Sequence, residues 1–341
     1  MPDIDPDDED AVYKPLRFLP IVYVLMTISS LWVIYMFCHV IPRLQVGVTT
    51  NLVEQPIRLH AQIECGLFNY ITVMLLLCYA RSMLTHPGEI PTDDPKWDYN
   101  SAPKSHIELK EKKRSGDRRH CKWCGKYKPD RCHHCRVCRI CILKMDHHCP
   151  WIYNCVGFYN YKYFFLLIMY SAMACQFMFF SMWTSVWKSF LDEEDLMPMF
   201  ILVFGQTLSF FLAILLTTFW GFHVWLMFMA MTTIEFCEKS MPKSKSEEEH
   251  DPGLCGCDCR ANVESPYDLG TIGNICAVLG RNPIFWLFPV WNVSGDGLVY
   301  DTEETPLLYH QGSSSGMSTP ADLEATRIAQ RPPVASSGAY M

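Results

Sequence analysis

Four long apolar runs organise the chain. Residues 18–41 contain no Asp, Glu, Lys or Arg, and neither do residues 163–187 or 196–229. A helix crossing a bilayer needs about 20 apolar residues, and lipid offers no partner to an open backbone, so each run predicts a spanning helix. A further run, residues 59–84, carries Glu64 and Arg81. Both stand near its ends, where long side chains reach the interface, so this run is expected to span as well. The acidic stretch KSFLDEED joins the last two runs into an expected helical hairpin. A cleaved signal peptide fits the first run poorly, because that run is long and follows Asp3, Asp5, Asp7, Asp8, Glu9 and Asp10.

Composition agrees with a membrane protein: 50% of the 341 residues are hydrophobic and only 19% are charged. Lys and Arg set the orientation, with sixteen in residues 85–162, two in residues 42–58 and one in residues 188–198. The basic middle segment is therefore expected in the cytosol, and four spans place both termini on that side. The basic loop needs no nucleic-acid partner to explain it, and the net charge of −7 comes largely from the acidic ends. Residues 1–15 and 301–341 are too polar or too poor in large apolar side chains to order themselves and are expected to be disordered. The Pro- and charge-rich residues 87–117 read as a linker, and KSKSEEEHDPG as another.

Eight of the seventeen cysteines crowd between Cys121 and Cys155, on the side where thiols stay reduced, which points to metal or catalysis rather than disulfides. The spacing C-x2-C-x9-H-x6-C occurs twice at an offset of fourteen. Cys121, Cys124, His134 and Cys141 form one set, and Cys135, Cys138, His148 and Cys155 the other. Three thiolates and one imidazole are the donors that tetrahedral structural zinc prefers, so two zinc ions are expected. His133 and His147 are also fourteen apart, and spacing alone leaves them open as ligands. A segment with so little apolar core should draw much of its folding free energy from metal.

Removing the ligands leaves Cys132 and Cys149. Cys132 reads as a spare buried thiol. Cys149 directly follows Asp146, His147 and His148, so a thiol, a candidate base and a candidate orienting carboxylate lie within four residues. His147 is expected to take the thiol proton and Asp146 to hold the imidazole, leaving a Cys149 thiolate to attack a carbonyl. A Cys3His zinc site carries about one negative charge and does not itself favour a thiolate, so activation must come from His147 or nearby cations.

The Asp146-His147-His148-Cys149 tetrapeptide in a cysteine-rich segment between the second and third of four spans resembles the DHHC protein S-acyltransferases. KPDRCHHC, CILKMDHHCPW and NCVGFYNYKYFF within residues 128–165 resemble that family's core, Thr232-Thr233-Ile234-Glu235 its TTxE motif, and SPYDLGTIGN, with Asn274, its C-terminal motif. His86 stands where the family usually has Asp, which puts the role of that turn in doubt. The likeness covers roughly residues 16–300. It implies zinc on His134 and His148, and a cycle in which acyl-CoA acylates Cys149 before the acyl group passes to a cysteine of a cytosolic or membrane-associated protein. It implies residence in the endomembrane system, Golgi or ER, or in the plasma membrane.

A long acyl chain loses about 0.8 kcal/mol per exposed methylene, so a pocket among the helices is expected, with Trp151 at its mouth and Ala174 leaving it deep. The expected architecture is an all-α polytopic membrane protein. Residues 16–84 hold helices one and two, 85–162 the linker and the cytosolic zinc-bound domain, 163–231 helices three and four, and 232–300 a cytosolic C-terminal region. Residues 282–291 (NPIFWLFPVW) are too short to span and are expected in the interface or against the bundle. Cys255, Cys257 and Cys259 leave acylation and metal binding both open. An inert zinc adaptor is the alternative function. A metal transporter would want mid-span ligands, for which only Glu64 and His223 are available, neither with an evident partner.

Overall fold

The computed structural model describes residues 18–45, 55–99, 109–113, 115–191, 196–240 and 265–300. The expectations for residues 1–15 and 301–341, for KSKSEEEHDPG and for Cys255, Cys257 and Cys259 lie outside them. Four described helices are long and apolar enough to cross a membrane: α1, Leu19–Gln45; α2, Gln55–Leu84; α3, Tyr161–Leu191; and α4, Leu196–Phe228. They coincide with the four apolar runs. α3 packs along both α2 and α4.

The bundle is apolar on the outside as well as within. Phe180, Phe200, Phe204, Phe211 and Leu215 are exposed on α3 and α4, a belt that suits lipid rather than water. Inside, one core cluster at the far end joins Tyr35, Phe68, Met178, Met182 and Leu202. A second, at the end nearer the cysteine-rich segment, joins Met74, Tyr79, Cys149, Phe164 and Phe165.

Glu64, which has no evident partner in the sequence, finds two on α1. It pairs with Arg43 of α1 and lies 3.2 Å from His39 Nε2, while His39 Nδ1 meets Ser185 Oγ of α3 at 2.8 Å. His39 is fully buried and belongs to a π-helical stretch of α1, Tyr35–Val40. A charge between lipid-facing helices is retained where it is paired, and here three helices share the cost. His223 also has a partner, since its Nδ1 lies 3.2 Å from Tyr161 Oη.

Between α2 and α3 the chain forms three antiparallel hairpins: β1 (His120–Cys121) with β2 (Lys126–Tyr127), β3 (His133–Cys135) with β4 (Ile140–Ile142), and β5 (His147–Cys149) with β6 (Asn154–Val156). The segment read as linker packs on them. Ile90, Trp97 and Leu109 are buried in one cluster with Cys132, Leu143 and Phe158, and Glu89 bridges Ile142. Trp97 and its apolar neighbours supply the surface that a Pro- and charge-rich pattern conceals.

His86 serves its turn in place of the Asp. Its Nδ1 accepts the Gly88 amide at 3.1 Å, as a short carboxylate does in an Asx turn. Gly88 has φ 105°, and a Cβ there would stand 2.9 Å from the Tyr159 ring, so the turn requires glycine.

After α4 come α5, Thr233–Ser240, and α6, Gly270–Leu279. Thr232 opens α5 as a capping box: the Glu235 amide donates to Thr232 Oγ1 at 3.3 Å and Glu235 Oε2 accepts the Thr232 amide at 2.9 Å. Asn274 donates to the Phe228 carbonyl at the end of α4 and to Asp268, and accepts the Leu269 amide, which ties α6 to the bundle.

Candidate active site and zinc centres

Each zinc set takes a pair of cysteines from the turn of one hairpin and a facing His–Cys pair from the next. Cys121 ends β1 and Cys124 lies in the β1–β2 turn, while His134 and Cys141 oppose each other across β3–β4. Cys135 then ends β3 and Cys138 lies in the β3–β4 turn, and His148 and Cys155 oppose each other across β5–β6. The fourteen-residue offset is thus the length of one hairpin, and the two sets staple three hairpins in series.

The donor atoms of each set lie within 4.8 Å of one another. His134 Nδ1 stands 3.5, 3.3 and 3.8 Å from the sulfurs of Cys121, Cys124 and Cys141, and His148 Nδ1 stands 3.8, 3.5 and 3.5 Å from those of Cys135, Cys138 and Cys155. Ordinary Zn–S and Zn–N bonds at tetrahedral angles put sulfur and nitrogen about 3.6 Å apart. Each set can hold one zinc ion. His133 instead turns its Nδ1 toward Glu238 at 3.9 Å, and His147 turns to Asp146, so neither joins a donor set.

Strand alternation separates metal from chemistry. Successive side chains of β5 point to opposite faces, so with His148 committed to its donor set, His147 and Cys149 share the other face. Cys149 is only 5% exposed and belongs to the apolar cluster at the end of the bundle. Opposite it in register is Asn154, whose side-chain amide donates to the carbonyls of Ser82, Met83 and Thr85. That contact caps the end of α2 and seats the hairpin on the membrane helices.

His147 Nδ1 is 2.8 Å from Asp146 Oδ2, which leaves Nε2 free of Asp146 on the face of β5 that Cys149 shares. Burial disfavours the imidazolium, but Asp146 and Cys149 outweigh it and lift His147 to about 9. Asp146 is fully buried. Burial alone would raise its carboxyl, yet His147 and Thr233 hold it below the ordinary aspartate range. The Thr233 amide donates to Asp146 Oδ1 at 3.0 Å, and its hydroxyl contacts both Asp146 Oδ2 and, at 3.0 Å, the Asp146 carbonyl. The carboxylate therefore sits at the N-terminus of α5, where the helix dipole favours a negative charge.

Arg131, which carried no role in the sequence reading beyond its place in KPDRC, locks the same helix. Its Nε and Nη2 grip the Glu235 carboxylate at 2.7 and 2.8 Å, and Nη2 also donates to the Ala230 carbonyl. The tyrosine rings of Tyr267 and Tyr300 stand beside its guanidinium. Arg131 and Asn154 both belong to motifs visible in the sequence, but their partners are distant. Trp151 is exposed, with its ring 6.1 Å from that of Tyr23 on α1, and its carbonyl accepts from Tyr79. Ala174 is half-buried between the two core clusters of the bundle.

Four membrane-length helices, two Cys3His donor sets and a buried Asp146 bonded to His147 beside Cys149 define a membrane protein with a cysteine-rich domain at one end of its helices. The profile of the family described as "DHHC palmitoyltransferase" matches residues 114–240. "Probable protein S-acyltransferase 16" of Arabidopsis thaliana is 33% identical over 239 residues, 69% of this chain and 79% of that protein. "Palmitoyltransferase ZDHHC15" of Mus musculus is 38% identical over 188 residues, 54% of this chain and 50% of that protein. "Palmitoyltransferase ZDHHC2" of Mus musculus is 34% identical over 219 residues, 62% of this chain and 52% of that protein. The chain belongs to the DHHC palmitoyltransferase family, and it spans about half the length of the ZDHHC15 and ZDHHC2 relatives it matches.

Proposed function

We propose that the protein is an S-acyltransferase moving a long-chain acyl group, palmitoyl by the family's name, from acyl-CoA to Cys149 and then to cysteines of proteins at the membrane surface. The observation that carries this reading is the buried Asp146 carboxylate bonded to His147, with Cys149 beside it on the face of β5 opposite the zinc ligand His148.

His147 takes the Cys149 proton through Nε2, and the thiolate attacks the acyl-CoA carbonyl. The carbon–sulfur bond to CoA breaks, and the leaving thiolate takes that proton from the imidazolium. In the second half, His147 deprotonates the thiol of the incoming protein. That thiolate attacks the acyl–Cys149 thioester, and the Cys149 thiolate departs and is reprotonated. Both halves exchange one thioester for another and are nearly isoenergetic, so positioning and proton transfer suffice. Zinc bound by the two Cys3His sets supplies fold stability to the hairpins. Asp146 keeps the His147 tautomer, and Thr233 keeps Asp146 in place.

The acyl chain lies among the helices, entering past Trp151 and reaching Ala174. The cysteine-rich domain faces the cytosol with both termini, in an endomembrane, Golgi or ER, or in the plasma membrane. Purified protein incubated with labelled palmitoyl-CoA is expected to gain a hydroxylamine-labile adduct that Cys149→Ser abolishes. Retention of both adduct and acyl transfer by Cys149→Ser overturns the mechanism.

A further inference from the structure

Two histidine rings, His147 and His223, face each other where the hairpins meet the bundle, and the acyl transfer routes its protons through His147 alone. His223 of α4 is fully buried. Its Nδ1 lies 3.2 Å from the Tyr161 hydroxyl at the start of α3. With Tyr161 donating there, the ring hydrogen stands on Nε2. That nitrogen is buried and has no hydrogen-bond partner among the described residues. Aromatic rings surround it instead: Phe219 and Phe164 stand nearly perpendicular to the imidazole, with centroids 4.8 and 5.4 Å away. An unpaired buried donor costs free energy and calls for an explanation. Asp146 and His147 both act on this ring electrostatically.

His147 needs more than one restraint. The hydrogen bond to Asp146 holds its Nδ1, but χ2 of a histidine is a broad torsion, so one bond leaves the plane of the ring loosely set. The His147 side chain is 29% exposed, and on that side no protein holds it. On the other side stands Phe164, with ring centroids 5.0 Å apart and planes at 68°.

Phe164 is thus a wall for the imidazole, and His223 stands behind the wall. The two histidine centroids are 6.4 Å apart, and His223 meets Phe164 at 76°. Tyr161 and Phe164 are three apart on α3 and share one face of it. The Tyr161 bond and the Phe164 contact therefore pin the same turn of α3 to the same residue of α4. Past the end of α4 comes Thr233, which holds Asp146.

We propose that His223 is a positioning residue for the acyl transfer: bonded to Tyr161, it backs Phe164 and so sets the plane in which His147 offers Nε2 to a thiol. The inference rests on Cys149 being the acylated thiol and His147 its base. One stretch of chain then serves both members of the pair, with Thr233 fixing the carboxylate and His223 the imidazole.

The test uses the full zinc-loaded chain in phosphatidylcholine vesicles. Labelled palmitoyl-CoA is added at saturation and the Cys149 adduct is followed through a single turnover, which yields a rate constant and an amplitude. His223→Phe keeps a ring and removes the acceptor of Tyr161. Tyr161→Phe removes the donor, so the bond is also broken from the side where packing does not change. Each is expected to lower the rate constant about tenfold or more, because small misplacements of a reacting group cost that much. Amplitude, zinc content and the acyl-CoA concentration for half-maximal rate are expected to hold in Tyr161→Phe. A purely structural contact would lower the amplitude, since unfolded molecules form no adduct, and leave the rate constant of the folded ones alone. The double variant is expected to be no slower than the slower single one, because both changes remove one bond. In a Phe164→Leu background, His223→Phe is expected to slow the reaction no further, and an undiminished slowing there overturns the route through Phe164. A parental rate constant in Tyr161→Phe, or in the His223→Phe molecules that form the adduct, overturns the inference alone. No adduct in the parent overturns the acyltransferase reading and the inference with it.

Discussion

Thr233 holds Asp146 with both its backbone amide and its hydroxyl, although the two residues are 87 apart in sequence. The first turn of α5 is thereby part of the proposed catalytic apparatus. The same TTxE segment that caps the helix also clamps the carboxylate orienting His147, and its glutamate clamps the cysteine-rich domain through Arg131.

Thr233→Val removes the hydroxyl but keeps the amide and the shape. A hydrogen bond to a charged group contributes about 1.5–3 kcal/mol, so acylation of Cys149 should slow by roughly 10- to 150-fold. Zinc content should stay unchanged. Initial rates with labelled acyl-CoA beside metal analysis decide it, and an unaltered rate removes Thr233 from the mechanism.

Arg131 and Glu235 make acid a probe of the link between α5 and the hairpins. Burial would raise the Glu235 carboxyl, but Arg131 pulls it below the ordinary glutamate value of 4.5. A depressed carboxylate contributes stability that is present above that value and is lost as pH falls through its folded pKa. Glu235→Gln leaves Arg131 buried without its counter-charge and should cost about 3–5 kcal/mol at neutral pH. The deficit against the parent should shrink as pH drops below about 4.5, because metal release in acid affects both proteins alike. Thermal unfolding across pH measures it, and a deficit independent of pH sinks the assignment.

Because the two donor sets share the middle hairpin, losing one ligand should loosen more than one site. Cys138→Ala is expected to lose its own zinc and to expose the β3–β4 hairpin, which also carries His134 and Cys141, to protease. Metal content and limited proteolysis report this. Full retention of both ions would mean that the sets are not stapled in series.

Ala174, between the two bundle clusters, is the place to test the proposed acyl pocket. Ala174→Phe should shift the preference of the purified enzyme toward shorter acyl-CoA, read by competition among chain lengths. An unchanged preference would make Ala174 an ordinary helix-packing residue.

Much of this was legible without coordinates, because the signals are local. Apolar runs of membrane length marked all four helices to within a few residues at most ends. The fourteen-residue cysteine repeat marked two zinc sets. Spacing alone left His133 and His147 open, since neighbouring histidines keep the same offset. The hairpin register turns His134 and His148 toward the sulfurs and their neighbours away. Glu64 showed no evident partner for a related reason: hydropathy along one helix cannot see Arg43 and His39 on another.

The order of residues along the chain, by itself, determined what each stretch can bury, which donors could share a metal, and that Cys149 is left free of zinc. Which distant groups meet was decided only in three dimensions. Thr233 on Asp146, Glu235 on Arg131, Asn154 on the end of α2 and Tyr161 on His223 all depend on how helices and hairpins pack. Hydrophobic periodicity and ligand spacing are properties of neighbouring residues, whereas a buried polar contact across a hundred residues exists only once the fold has brought its two partners together and excluded water from both.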